Sequence, residues 1–209
     1  MNEPLPLAVE RHPWQTLHHA WAPKLGRTIV LNSTGQLRLW AMLEAYPGVT
    51  RYCERPSWPS DEALLPTPDF WALRDGEPVW LAVDEEPRAA DGDAPAPGET
   101  LRVQTVTADE LDRRRVWIGN WLSMLPYLSA AGWLDLDSLS EPVADFFWQE
   151  ASFEDAEQHF SQIDPVLVRT AVIAGLHRGA LLSSELLVRP WDRRTRVTRC
   201  SQRASHAPQ

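Results

Sequence analysis

The sequence predicts an α/β domain followed by a helical region, and three observations carry that division. A β-branched run, Arg27 to Leu31, leads into a helix-start signature at Ser33–Gln36. Two apolar runs, 69–73 and 79–83, flank an Asp75-Gly76 turn, the pairing expected of a β-hairpin. Beyond Thr107 the apolar residues recur at helical spacing.

Residues 1–27 are rich in Pro, His and Trp without a period, which predicts an irregular N-terminal arm. Ser33 with Gln36 three residues on reads as an N-cap and capping box, and Leu37, Trp40, Ala41 and Glu44 continue one helix face until Pro47-Gly48 stops it. Val49 to Arg55 predicts a strand, Pro56 to Pro68 a proline-punctuated loop, and Asp69 to Leu73 the first arm of the hairpin. The returning strand, Val79 to Val83, runs into the acidic cluster Asp84-Glu85-Glu86. Residues 87–99 combine proline, alanine and acids with nothing to bury, hence a loop. Leu101 to Val106 predicts a strand, and Thr107–Glu110 a second capping box opening a helix over 109–129.

Helices are expected at 137–150, after Ser152, and after Asp164-Pro165, whose N-cap aspartate and N1 proline form a strong start; Gly179 ends that last helix. Leu181 to Val188 and Arg196 to Arg199 read as a hairpin around Pro190-Trp191-Asp192, so the C-terminal region resembles a winged helix. The expected organisation is an arm at 1–27, an α/β domain at 28–125, a helical and winged-helix-like region at 126–200, and a tail at 201–209.

Composition narrows the function classes. Of 209 residues, 44% are hydrophobic and 23% charged, a balance able to bury a core, and no apolar run nears the roughly 18 residues of a membrane span. The first residues lack a signal-peptide pattern, and the two cysteines, Cys53 and Cys200, are far apart and outside any CxxC. A cytoplasmic protein with neither a disulfide framework nor a cysteine-based zinc module is expected. The net charge of −9 is uneven: 12 basic and 26 acidic residues precede Asp164, net −14, whereas eight arginines and three acids follow from there, net +5. A basic tail behind an acidic body fits either nucleic-acid contact or ordinary surface charge. All cations are arginine except Lys24.

In their order, Ser33 to Glu44, Tyr52-Cys53-Glu54-Arg55-Pro56, Thr67-Pro68-Asp69-Phe70, Asp75-Gly76 and Val79 to Asp84 resemble the N-terminal nuclease domain of TnsA-type transposon endonucleases, of the PD-(D/E)XK restriction-endonuclease-like fold. The later stretch Leu101 to Asn120 is similar to that family's closing strand and helix. The resemblance covers about residues 28–125 and the helical tail more loosely. It implies Mg²⁺-dependent cleavage of DNA at transposon ends, with a DDE-type transposase and an ATPase regulator as partners. Carboxylates on the hairpin would hold the ion, and a lysine would polarise the attacking water.

Position by position, Asp69 matches the motif aspartate, while Gln36 stands where the family has glutamate. Aligning Ala82-Val83-Asp84 with E-x-K replaces the second carboxylate by a methyl and the lysine by an acid; Lys24 is remote in sequence. Sliding by two residues puts Asp84 and Glu86 in those slots, on one strand face, giving Asp69, Asp84 and Glu86 as metal ligands and an active Mg²⁺ endonuclease. Some nucleases of the fold use an acid in place of the lysine. Against the slide, it lengthens the hairpin, and Pro87 ends the strand at once. The segment 87–99, where the fold normally carries a crossover helix, has no helical face.

The expected function is therefore a TnsA-like subunit with a degenerate site (Gln36, Asp69, Asp84, Glu86) that serves in DNA binding or complex assembly. An active endonuclease and an α/β interaction protein unrelated to DNA are the alternatives. For DNA, the candidates are Arg189, Trp191, Arg193, Arg194 and Arg196, cations around one aromatic ring. Trp40, Trp71, Trp80, Trp117 and Trp121 fall on apolar faces and read as core, Cys53 as a small hydrophobe, and His12, His18 and His19 as incidental because no ligand-spaced acid or cysteine accompanies them.

Overall fold

A computed structural model describes residues 3–8, 16–57, 68–84, 103–130 and 136–200. The chain divides into two compact units, one of Met1–Glu44 with Gly48–Arg115 and one of Ala45–Pro47 with Val116–Gln209. Among the described residues no helix is long and apolar enough to cross a membrane.

In the first unit, β1 (His18–Ala22) pairs antiparallel with β2 (Arg27–Leu31) from His18 opposite Leu31 to Ala22 opposite Arg27. The expected irregular arm is thus ordered over this stretch. Its strand escapes sequence reading because His18-His19-Ala20-Trp21-Ala22 contains no β-branched residue, and the pairing with β2 supplies what propensity does not. Gly26 takes the positive φ, 62°, that closes the turn.

Helix α1 (Thr34–Ala45) starts at Ser33, whose Oγ accepts from the Gln36 N–H at 3.1 Å. In a capping box the Gln36 side chain would return to the backbone N–H of Ser33; here its Oε1 takes that of Asn32 at 2.7 Å. The helix leads into a four-stranded sheet in the order β3 (Val49–Glu54), β4 (Phe70–Arg74), β5 (Glu77–Asp84), β6 (Val103–Thr107). The first three strands are antiparallel neighbours and β6 runs parallel to β5.

The hairpin is the expected one. Asp75 and Gly76 adopt φ values of 53° and 85°, as a two-residue type I′ turn requires, and Arg74 lies opposite Glu77. A turn this short fixes the register, so Trp71 faces Trp80 and Phe70 faces Leu81. Opposed residues share a face. Cys53, Trp71 and Trp80 therefore cluster on one side with Leu73 and Val103, and the Tyr52 ring meets Phe70 edge-on at 6.3 Å on the other. Thr107 and Glu110 make the reciprocal bonds of a capping box at the start of α2 (Ala108–Arg113). The single helix expected over 109–129 is instead α2 and α3 (Arg115–Ala130), broken at Arg114; nothing in the sequence accounts for the break.

The second unit is mostly helical. It holds most of α3, with α4 (Asp137–Phe146), α5 (Phe153–His159) and α6 (Pro165–His177). Ser152 and Asp155 form a capping box on α5, Asp164 caps α6 ahead of Pro165, and Gly179 turns the chain with φ 72°. The strand expected over 181–188 shortens to β8 (Leu181–Leu182) followed by a 3-10 turn at Glu185–Leu187. It pairs with β9 (Arg196–Arg199), which also pairs with β7 (Ala151–Ser152), giving the strand order β7-β9-β8. The wing-like ribbon is therefore a small three-stranded sheet. Its connection through Trp191 is drawn inward, because Asn120, buried on α3, donates to the carbonyls of Leu186 and Arg189 at 2.8 and 2.9 Å and accepts from the Trp191 N–H at 2.9 Å.

Candidate functional site

Asp69 and Gln36, 33 residues apart in sequence, meet at the N-terminal end of α1. Asp69 sits at the bend entering β4, tied to the sheet by its backbone: its N–H donates to the Leu81 carbonyl and its own carbonyl accepts from the Arg55 N–H, both at 2.8 Å. Its carboxylate receives the Gln36 amide on Oδ1 at 2.7 Å and the Val83 N–H on Oδ2 at 2.6 Å. With its oxygen committed to Asn32, Gln36 turns its NH₂ end toward the aspartate.

The hairpin register decides what faces this carboxylate. The paired register ends with Phe70 opposite Leu81, and the Asp69 N–H bonds the Leu81 carbonyl; Ala82, the position that matches the family's glutamate without a slide, follows Leu81 in β5. Asp84 lies two residues farther, roughly 6.7 Å along the strand, beside Thr107 of β6. Glu86 lies outside the described residues. Among the described residues no group of three or more His, Cys, Asp or Glu side chains is placed to hold a metal ion. His18, on β1, is partly buried and His19 is exposed; His12 lies outside the described residues.

Lys24 occupies the turn between β1 and β2 and points to the other end of α1. Its Nζ donates to the Leu43 carbonyl at 2.7 Å. The eight residues from Gln36 to Glu44 span about 12 Å of helix, which separates the lysine from Asp69. There it joins a buried polar network that the sequence reading missed. The Tyr52 hydroxyl accepts from the Trp40 indole N–H at 2.7 Å and donates to Glu44 Oε1 at 2.5 Å, and the Lys24 N–H approaches the same oxygen at 3.4 Å. Glu44 is fully buried. The available signal was Glu44 itself, an acid on the apolar face shared with Trp40 and Ala41.

Burial pushes the Lys24 ammonium down to about 8, with Glu44 acting in the opposite direction. Burial first, then Glu44, holds the Tyr52 hydroxyl well above its usual range, and burial followed by Glu54 pushes the Cys53 thiol up to about 11. Unfolded lysine titrates near 10.4, so between about pH 8 and that value the unfolded chain binds more protons, and the Lys24 contribution to stability rises with pH. Cys53 and Tyr52 hold their protons longer in the fold and pull the other way above about pH 9 to 10. Comparing wild type with Lys24→Met isolates the lysine. Between pH 8 and 10 the difference in unfolding free energy should move in the wild type's favour by about 1–2 kcal/mol; a constant difference in denaturant titrations would contradict this.

The arginines of the C-terminal region face acids of their own unit. Arg189 meets Glu185 at 2.5 Å and Asp192 at 3.9 Å, and Arg196 meets Asp155 at 3.9 Å. Arg193 reaches Glu157 at 2.8 Å and Glu154 at 3.7 Å. Arg194 is exposed. Trp191 is half-buried: its indole N–H donates to Ser123 at 2.6 Å, and its ring lies 6.0 Å from Tyr127 and 5.5 Å from Phe153. The structure thus gathers these candidates on one connection and engages most of them internally. Trp40, Trp71, Trp80 and Trp121 are core as expected, and Trp117 is half-buried. No protein-family model and no curated protein matches the chain.

Proposed function

We propose that this chain is a TnsA-like subunit of a DNA-transposition complex that keeps the nuclease fold and has lost cleavage, so that it holds DNA and partner proteins, a DDE-type transposase and an ATPase regulator, without cutting. The carrying observation is the Gln36–Asp69 hydrogen bond of 2.7 Å. At the helix position where the family has glutamate, this chain sets an amide that donates to the aspartate.

The sheet supports the same reading. A helix, three antiparallel strands and a fourth strand parallel to the third follow in the order that the resemblance implies. The described donor set does not suit Mg²⁺. A hard cation requires carboxylate, carbonyl or water oxygens at near-octahedral positions. Asp69 instead offers oxygens that already accept short bonds from two N–H donors, whose hydrogens repel a cation, and Ala82, at the motif glutamate position, supplies no ligand. Lys24, at the far end of α1, is out of reach to polarise a water.

Supercoiled plasmid incubated with the full chain and Mg²⁺ or Mn²⁺ tests the loss of cleavage. The plasmid should stay supercoiled, as with Asp69→Ala. Nicking by the wild type that Asp69→Ala abolishes would overturn the proposal and restore Asp69, Asp84 and Glu86 as ligands.

A further inference from the structure

Most arginines of the C-terminal region are paired, Arg178 and Arg194 being without an ion pair among the described residues. In the C-terminal region Arg169, Arg189, Arg193, Arg196 and Arg199 each face a carboxylate within 4.0 Å. At the junction of α2 and α3, Arg113, Arg114 and Arg115 are consecutive and exposed, and none has an ion pair among the described residues. The neighbouring Asp112 is already held by Arg38 at 2.7 Å. Glu110 binds the Thr107 N–H at the start of α2, and exposed Asp109 stands four residues before Arg113. Of the three acids of α2, Glu110 and Asp112 are thus engaged by other groups, and the three exposed guanidiniums follow at the α2–α3 break.

We infer that Arg113, Arg114 and Arg115 make this chain's principal contact with the backbone phosphates of duplex DNA, an inference that rests on the DNA-holding reading above. The reason is ion exchange. A guanidinium with no carboxylate to give up gains the full release of counterions from DNA, whereas Arg189 or Arg193 must first break an internal pair, which offsets that gain. Guanidinium forks match phosphate oxygens two at a time, and the α2–α3 break offers three such forks within one short segment. Strand β6, which leads through Thr107 into α2, adds exposed Gln104 and Thr105, neutral groups able to hydrogen-bond sugar and phosphate oxygens. The net charge of −9 limits overall affinity.

The test is the salt dependence of binding to a short duplex of arbitrary sequence, using the full chain, a triple variant Arg113→Ala/Arg114→Ala/Arg115→Ala, and a tail variant Arg194→Ala/Arg196→Ala, which leaves the Glu157 pairs intact. Circular dichroism verifies that each is folded. The slope of log affinity against log salt should fall in magnitude by about 2.7 in the triple variant, at about 0.9 for each phosphate no longer neutralised, and by less than about 1 in the tail variant. A slope that falls in the tail variant and persists in the triple variant overturns the inference while leaving the DNA-holding reading standing. Absence of duplex binding by the wild type at low salt overturns both. Binding to polyglutamate in place of duplex also overturns the inference and identifies an acidic protein segment as the partner.

Discussion

Glu157→Ala should lower the unfolding free energy by about 3–5 kcal/mol. Glu157 lies on α5 with only 4% of its side chain exposed, and two guanidiniums bracket its carboxylate. Arg169 of α6 takes Oε1 through Nε at 2.8 Å and through a terminal nitrogen at 2.7 Å, and Arg193 takes Oε2 through Nε at 2.9 Å and a terminal nitrogen at 2.8 Å. Arg169 also lies over the Tyr127 ring, its guanidinium carbon 5.9 Å from the centroid. Removing the carboxylate leaves Arg169, 18% exposed, charged and without that partner, and frees the connection that carries Arg193. Urea titration should show the loss, and Arg193→Ala, whose side chain is 55% exposed, should cost much less. Equal costs for the two would mean that the network is governed by the exposed arginine.

Elements with local signatures were legible in the sequence. The hairpin was readable because Asp75-Gly76 specifies its own turn, and helices α5 and α6 because Ser152 and Asp164-Pro165 specify their own starts. Strand β1 was not, since its stability comes from β2 and from burial of Ala22, which composition does not encode. The hairpin expected across 181–199 was read too regularly: three bonds from Asn120, a residue some 70 positions away, pull its connection onto α3. In the candidate site, the identity of Asp69 and Gln36 was legible and their mutual orientation was not. Whether an amide offers its oxygen or its NH₂ to a neighbour depends on what else claims the oxygen, here the backbone of Asn32. The arginines followed the same rule, since charge counted along the chain does not reveal which cations the fold has already paired.

Asp69→Ala should destabilise the first unit by about 2–4 kcal/mol, because it removes two charge-assisted hydrogen bonds and leaves the Val83 N–H and the Gln36 amide without that acceptor. Through them Asp69 ties the start of α1 to the hairpin, so its carboxylate is a fastening between helix and sheet. A metal-binding aspartate would behave differently. Freed of a cation, it usually leaves a site of mutually repelling acids, and its replacement by alanine costs the apo fold little or stabilises it.

The measurement that separates these roles is the unfolding free energy of wild type and Asp69→Ala, each with and without Mg²⁺. The proposal predicts that Asp69→Ala is less stable by the same amount in both conditions and that Mg²⁺ shifts neither protein specifically. Contradiction would be a wild type stabilised by Mg²⁺, by about 2.7 kcal/mol when the ion is a hundredfold above its dissociation constant, with that gain absent from Asp69→Ala.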